Sequence, residues 1–171
     1  MNLYLLRHGI AAPQADPAEP DGERPLTTKG AKRMRKAANG LRRLDIRFDA
    51  ILSSPLLRAS QTAEIVAEAL GLQSELHQIS GLAPESSVEN LLFELGRFKN
   101  HEHLVLVGHQ PLLGETAAFL LHGTGKSGLN ISFKKGGLCK IEIDTLPPRE
   151  PGTLHWLLAP RHLRLLGGRS G

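Results

Sequence analysis

Short apolar runs and longer amphipathic segments alternate along most of this 171-residue chain. The apolar runs lie at residues 2–6, 50–53 and 104–107, and a weaker run lies at residues 76–79. They are four or five residues long and show little polar alternation, a pattern typical of strands that are buried on both faces of a parallel sheet. The sequence therefore predicts a sheet whose strands are separated by helices.

Capping residues mark the start of the first two predicted helices. The hydroxyl of Thr27 or Thr28 can cap the first helix. The second is predicted to open with Ser54 as its N-cap and Pro55 at its first helical position, and to end at Gly71. Residues 10–25, which precede the first helix, lack periodicity and are rich in Ala, Pro, Asp and Glu, so they predict a long loop of a length that is often functional.

The later part of the chain predicts two further helices and then two strands that no helix separates. Ser86 and Glu89 have capping-box spacing before one helix, and residues 112–121 predict the other. Residues 138–143 and 154–158 then follow as two strands, antiparallel to each other, with turns and no helix between them.

The order of these elements predicts an α/β fold over residues 1–171 as one domain. We expect a three-layer sandwich, with a mostly parallel sheet covered by helices on both faces and antiparallel strands late in the chain. The tail from residue 160 onward is short and basic and is assigned no element.

Composition narrows the range of partners and compartments. Lys and Arg exceed Asp and Glu by 21 to 17, a net charge of +4, which permits a phosphate site without requiring a nucleic-acid surface. The basic first helix has no aromatic residues nearby for base stacking, so its charges are interpreted as solvated and no nucleic-acid partner is expected. No signal peptide is recognised and no apolar stretch approaches the ~18 residues of a membrane span, so no membrane partner is expected. The single cysteine, Cys139, lies in a predicted strand, which favours a structural role and a cytoplasmic protein.

Polar side chains follow three of the predicted strands. Arg7 and His8 follow the first, Ser54 follows the second with Arg58 in the first turn of the next helix, and His109 follows the strand at residues 104–107. Ligands of such sheets gather at the carboxyl ends of the strands, so these side chains are predicted to meet at one rim. Taken singly, each histidine would more often be a hydrogen-bonded structural residue, and only their joint placement indicates catalysis.

This set of residues suits phosphoryl transfer. Two guanidinium groups and a helix N-terminus bind phosphate oxygens, and a neutral His8 can attack phosphorus to form a phosphohistidine. Arg7, Arg58 and a protonated His109 could stabilise the charge of the transition state. Neighbouring arginines disfavour a charged His8, and Gly9 lets the backbone turn closely past the nucleophile.

A metal site is the rival interpretation. His101-x-His103 has a ligand-like spacing, but the pair precedes a strand, has no Cys or spaced carboxylate companion, and lies at the opposite strand end from the predicted rim. No metal is therefore expected.

Four segments, in order and at sensible spacing, resemble motifs of the histidine phosphatase (phosphoglycerate mutase-like) superfamily. They are Leu6-Arg7-His8-Gly9, Arg24-Pro25-Leu26-Thr27-x-x-Gly30, Ser54-Pro55-Leu56-Leu57-Arg58-Ala59-Ser60-Gln61-Thr62-Ala63 and Val107-Gly108-His109. The short length and the Arg-Pro-Leu-Thr segment are similar to the SixA-like phosphohistidine phosphatase branch of that superfamily.

The resemblance implies roles for individual residues. His8 matches the phosphorylated nucleophile, and His109 matches the second pocket histidine. Arg7 and Arg58 match the phosphate-clamping arginines, and Arg24 matches an arginine near the pocket. Gly9 and Ser54 are assigned with Arg24 to substrate binding. The family implies no metal and no organic cofactor, and its substrates would be phosphohistidine on a protein or a small phosphoester.

One departure from the family concerns the proton donor. Mutases and many larger phosphatases carry a glutamate in an inserted segment, whereas the corresponding region here is the brief stretch 81–86, where Glu85 is a weak candidate. A phosphoramidate leaving group needs less help from an acid than an alkoxide does, and the short segment suggests an open site. A phosphatase of small phosphomonoesters, a phosphoglycerate-type mutase and a non-catalytic phospho-ligand binding module remain alternatives.

Overall fold

A computed structural model describes residues 1–14, 20–122 and 128–168. In these ranges six strands form one sheet: β1 (Asn2–Arg7), β2 (Ala50–Ser53), β3 (Leu76–Gln78), β4 (His103–Gly108), β5 (Leu138–Glu142) and β6 (Thr153–Leu158). Their order across the sheet is β3-β2-β4-β1-β5-β6. The four strands from β3 to β1 run parallel, and β5 is antiparallel to both β1 and β6. This topology confirms the predicted mostly parallel sheet with late antiparallel strands.

Five helices cover both faces of the sheet: α1 (Thr28–Arg42), α2 (Leu57–Leu70), α3 (Val88–Leu95), α4 (Leu112–His122) and α5 (Pro160–Leu166). Successive residues of a strand point to opposite faces, and β1 shows this clearly. Leu3 and Leu5 pack in the apolar cluster that includes α3 and α4, while Tyr4 and Leu6 pack in the cluster of α1, α2 and α5. The molecule is therefore the expected three-layer α/β sandwich.

Two helix starts differ from the sequence prediction. The second helix begins at Leu57, with Leu56 as its N-cap and no capping side chain, so Ser54 and Pro55 are outside it. The backbone N–H of Ser54 donates to the carbonyl of Val107 at 2.9 Å, which continues the sheet pairing past the end of β2 and keeps Ser54 at the rim. For α3 the capping residue is Ser87, which accepts from the backbone N–H of Asn90.

The tail contains a helix that the sequence analysis missed. Residues Pro160–Leu166 form α5, and only Leu163 of this helix is buried. The helix packs against α1 where Gly40 allows the backbones to approach, since a Cβ atom at Gly40 would overlap the carbonyl of Leu163. One buried position in seven residues gives no readable periodicity, which explains why the pattern did not reveal this helix.

Two findings bear on compartment and chemistry. Among the described residues, no helix combines the length and the apolar character that crossing a membrane requires. Cys139 is fully buried in β5, and burial raises the pKa of its thiol to about 12. A protonated, inaccessible thiol is a poor nucleophile, which agrees with the structural role predicted for Cys139.

Candidate active site

Three strand ends bring the predicted residues together. The register of β1, β4 and β2 places Leu6 and Ser53 on either side of Val107, so the strands end almost level. His8, Ser54 and His109 come directly after these ends. The imidazole rings of His8 and His109 have centroids 5.0 Å apart, and Nε2 of His109 lies 2.8 Å from the Ser54 hydroxyl. The structure therefore brings these three residues into one pocket.

The tautomer of His8 follows from the hydrogen bond that its imidazole makes to Gly9. Nδ1 lies 2.6 Å from the carbonyl oxygen of Gly9, and a carbonyl oxygen can only accept, so Nδ1 carries the proton. The Nε2 atom then holds the free lone pair. Burial is the main cause that lowers the pKa of His8, to about 4, and the charges of Arg58, Arg7 and Lys135 lower it further, against an opposing effect of the Gly9 carbonyl. His8 is neutral near pH 7, as predicted.

Both backbone polar groups of Gly9 form hydrogen bonds. Its carbonyl accepts from His8, and its N–H donates to the Thr62 hydroxyl at 3.0 Å. Thr62 in turn donates to the carbonyl of Arg58 at 2.7 Å. A Cβ atom on residue 9 would lie 2.7 Å from Met34. Gly9 therefore positions the nucleophile, and its assignment to substrate binding stays a prediction.

The two arginines have one feature in common that points to an anion. Arg7 donates from NH1 to the carbonyl of Phe133 at 2.6 Å, and Arg58 uses NH1 and NH2 on Asp21 at 2.7 and 2.8 Å. In each side chain Nε is buried and has no hydrogen-bond partner in the described part of the chain. A buried donor without a partner costs about 1–3 kcal/mol, and an oxyanion that reached these atoms would remove that penalty.

Asp21 is a site residue that the sequence analysis missed. Its carboxylate binds Arg24 through Oδ1, at 2.7 Å from Nε, and Arg58 through Oδ2. Desolvation raises the pKa of Asp21, but the hydrogen bonds and charges of Arg58 and Arg24 outweigh it, and the net pKa is lowered. Arg24 thus reaches the pocket through Asp21. The available signal was the spacing of three residues between an acid and an arginine inside a long loop.

His109 is expected to be protonated when phosphate is bound, and its surroundings disfavour that cation otherwise. It is 3% exposed, and burial, the neighbouring His8 and the charge of Arg58 lower its pKa to about 3, while Asp21 opposes them. Both imidazoles are therefore neutral near pH 7. A protonated His109 requires the negative charge of a bound phosphoryl group, which favours the cation.

The remaining candidates lie apart from this pocket. Glu85 is exposed in the segment between β3 and α3, and no hydrogen bond or ion pair joins it to other described residues. His103 pairs with Asn2 at the opposite end of β1 and contacts the Tyr4 hydroxyl, while His101 contacts the carbonyl of Phe98. Within the described ranges, no three His, Cys, Asp or Glu side chains are grouped so that they could hold a metal ion.

Comparisons with known proteins agree on one family. The model of the histidine phosphatase superfamily (branch 1) matches residues 3–83. The chain is 50% identical over 141 residues to an uncharacterized protein of Picosynechococcus sp. (strain ATCC 27264 / PCC 7002 / PR-6), covering 81% of this chain and 82% of the relative. It is 30% identical over 167 residues to the phosphohistidine phosphatase SixA of Escherichia coli K12, covering 96% and 98% of the two chains. A solved structure of the protein histidine phosphatase SixA complexed with tungstate superimposes with a TM-score of 0.81 at 31% identity, covering 95% of this chain and 99% of the other.

Proposed function

The chain belongs to the histidine phosphatase superfamily, and from this premise we propose that it is a phosphatase that removes a phosphoryl group from phosphohistidine on a protein. The reaction would pass through a covalent phosphohistidine on His8. The observation that carries the proposal is the geometry of His8, whose Nδ1 is fixed as the donor to Gly9 and whose Nε2 is left as a neutral nucleophile among cationic groups.

The first step transfers the phosphoryl group to His8. The lone pair of Nε2 forms a bond to phosphorus while the bond between phosphorus and the substrate nitrogen breaks. The substrate imidazole, already protonated on its other ring nitrogen, leaves with that electron pair as neutral imidazole. In the second step a water oxygen attacks phosphorus, and the bond between phosphorus and Nε2 breaks. Inorganic phosphate departs, the water's proton is released, and His8 recovers its lone pair.

The cationic groups around His8 stabilise the transferring group. Arg7 and Arg58 would direct their unpartnered Nε–H donors to phosphoryl oxygens, where charge accumulates in the transition state. His109 would take up a proton as the dianion binds and donate a hydrogen bond to it. Ser54 would orient His109 through its hydroxyl, and Arg24 would hold Asp21 against Arg58.

A protein substrate is supported by the relatives and by the chemistry of the leaving group. SixA of Escherichia coli is named a phosphohistidine phosphatase. Among the described residues, Asp21 is the one carboxylate paired with a catalytic group of this pocket. It forms ion pairs with two arginines, so it is not available as a general acid. An imidazole can depart without a strong general acid, whereas an alkoxide leaving group needs one. We place the enzyme and its phosphoprotein substrate in the cytoplasm.

The test is a hydrolysis panel with purified protein. A protein phosphorylated on histidine is compared with p-nitrophenyl phosphate and with 3-phosphoglycerate, using the wild type, His8→Ala and the matched control His101→Ala, which removes a histidine at the opposite end of the sheet. The proposal predicts the highest kcat/KM on the phosphohistidine protein, its loss in His8→Ala and its retention in the control. A preference for either small phosphoester, or mutase activity on 3-phosphoglycerate, would contradict it.

A further inference from the structure

A small cleft lies beside the loop that carries the nucleophile. Gly9 and Ile10 form one wall of this cavity of about 100 Å³. Three basic residues from separate parts of the chain also line it: Arg33 of α1, Lys135 before β5, and Arg164 of α5. We call this feature the cationic cleft. It is separate from the catalytic arginines, neither of which lines it.

The cations of the cleft have no counter-ion in the described part of the chain. None of the ion pairs found there involves Arg33, Lys135 or Arg164. The pKa of Arg164 is lowered, first by burial and then by the charge of Arg33, so these two side chains are close enough to repel each other. Like charges gathered without a counter-ion raise the free energy of the protein, and a bound anion would relieve the repulsion.

The cleft also lies next to the reaction centre. Gly9 follows the nucleophile directly, and the charge of Lys135 lowers the pKa of His8. A substrate that presents its phosphoryl group to His8 could therefore reach the cleft with a neighbouring residue. No aromatic side chain lines the cleft, so a stacked nucleobase is not the group it suits.

We propose that the cationic cleft binds a carboxylate from the protein segment that carries the phosphohistidine, so that this enzyme prefers substrates with acidic residues near the phosphorylated site. This inference rests on the proposed function. Arg33 and Arg164 approach the carboxylate from the two helices, and Lys135 approaches it from the loop nearest the nucleophile. The gain lies in substrate binding, because the carboxylate takes no part in the transfer of the phosphoryl group.

The size of the preference follows from ion pairs at a partly exposed site. Arg33 and Lys135 are exposed and Arg164 is half-buried. One such pair contributes up to about 1 kcal/mol, which corresponds to about fivefold in affinity, and salt weakens it. The preference should therefore appear in KM and should decrease as ionic strength rises.

The experiment compares two phosphohistidine peptides that differ only in their flanking residues, Glu in one and Gln in the other. Wild type is expected to favour the Glu peptide by about fivefold in kcat/KM at low salt. Arg33→Gln and Arg164→Gln should each move this ratio toward unity. Arg42→Gln, which removes an exposed charge at the C-terminal end of the same helix, should preserve the ratio.

Three outcomes separate the cleft from the proposed function. Equal kcat/KM for the two peptides in wild type, or an equal loss of preference in Arg42→Gln, would contradict the proposed role of the cleft without contradicting the phosphatase activity. If neither peptide is hydrolysed, the proposed function fails. The affinities of the two peptides for the same variants, measured by calorimetry, would then still decide whether the cleft selects acidic segments.

Discussion

The hydroxyl of Thr62 links the nucleophile loop to α2 and allows a quantitative test of how His8 is positioned. It accepts from the N–H of Gly9 and donates to the carbonyl of Arg58, and all of these groups are buried. Thr62→Val keeps the shape of the side chain but removes both hydrogen bonds. The Gly9 N–H is then left in the interior without a partner, next to the carbonyl that fixes the His8 tautomer.

A second buried threonine supplies the matched control. Thr116 of α4 is fully buried and donates to the carbonyl of Leu112 at 2.8 Å, the same bond to the fourth preceding residue that Thr62 makes. Thr116→Val therefore loses the helical bond alone. The difference between the two variants isolates the Gly9 N–H, whose loss of a partner is expected to cost about 1–3 kcal/mol.

The assay combines urea unfolding with steady-state kinetics on p-nitrophenyl phosphate. Thr62→Val should lose about 1–3 kcal/mol more stability than Thr116→Val, and its kcat should fall because Gly9 no longer holds the imidazole of His8. Thr62→Ser, which retains the hydroxyl, should recover most of the kcat. Equal unfolding free energies for the two valine variants, together with an unchanged kcat in Thr62→Val, would refute the reasoning.

Three further predictions concern charge, pH and packing. Asp21→Asn should lower kcat/KM on p-nitrophenyl phosphate about fivefold, since Asp21 is half-exposed and its pair with Arg58 contributes roughly 1 kcal/mol; an increase would show that Asp21 competes with substrate. The pKa of His8 is lowered from 6.5 to about 4, so the unfolded chain binds more protons in this interval, and His8 should contribute a drop of about 3 kcal/mol in the unfolding free energy as pH falls through it, in addition to a drop of the same sign from His109. In urea titrations His8→Asn should flatten this dependence, and an unchanged slope would contradict the assignment. Gly40→Ala should destabilise the protein by about 1–3 kcal/mol in thermal unfolding, whereas Gly96→Ala, where a Cβ meets nothing within 4 Å, should not.

The sequence was sufficient for those features that depend on local pattern and on general rules of sheet topology. Apolar runs located the strands, and the rule that ligands gather at carboxyl strand ends predicted that His8, Ser54 and His109 would meet. The strand positions could be predicted because a buried strand leaves a continuous apolar run. The meeting of these side chains could be predicted because parallel strands in register end at one rim.

The features that could not be predicted depend on long-range contacts and on burial. Asp21 lies in a loop without periodicity, and its partner Arg58 is 37 positions away. Ser54 looked like a helix cap because its pairing with Val107 is invisible in the sequence. The neutral form of His109 arises from burial, from the neighbouring His8 and from the charge of Arg58, which only the packed structure brings together.

The proposed mechanism depends on a phosphohistidine at His8, and trapping this intermediate is the most direct test. Enzyme is mixed with a phosphohistidine protein labelled on phosphorus, quenched within the first turnover under denaturing alkaline conditions that preserve the phosphorus–nitrogen bond, and mapped by mass spectrometry. We predict labelled phosphate on Nε2 of His8, and no label in His8→Ala. Turnover by wild type without any labelled enzyme, together with full activity of His8→Ala, would instead mean that water attacks the substrate directly.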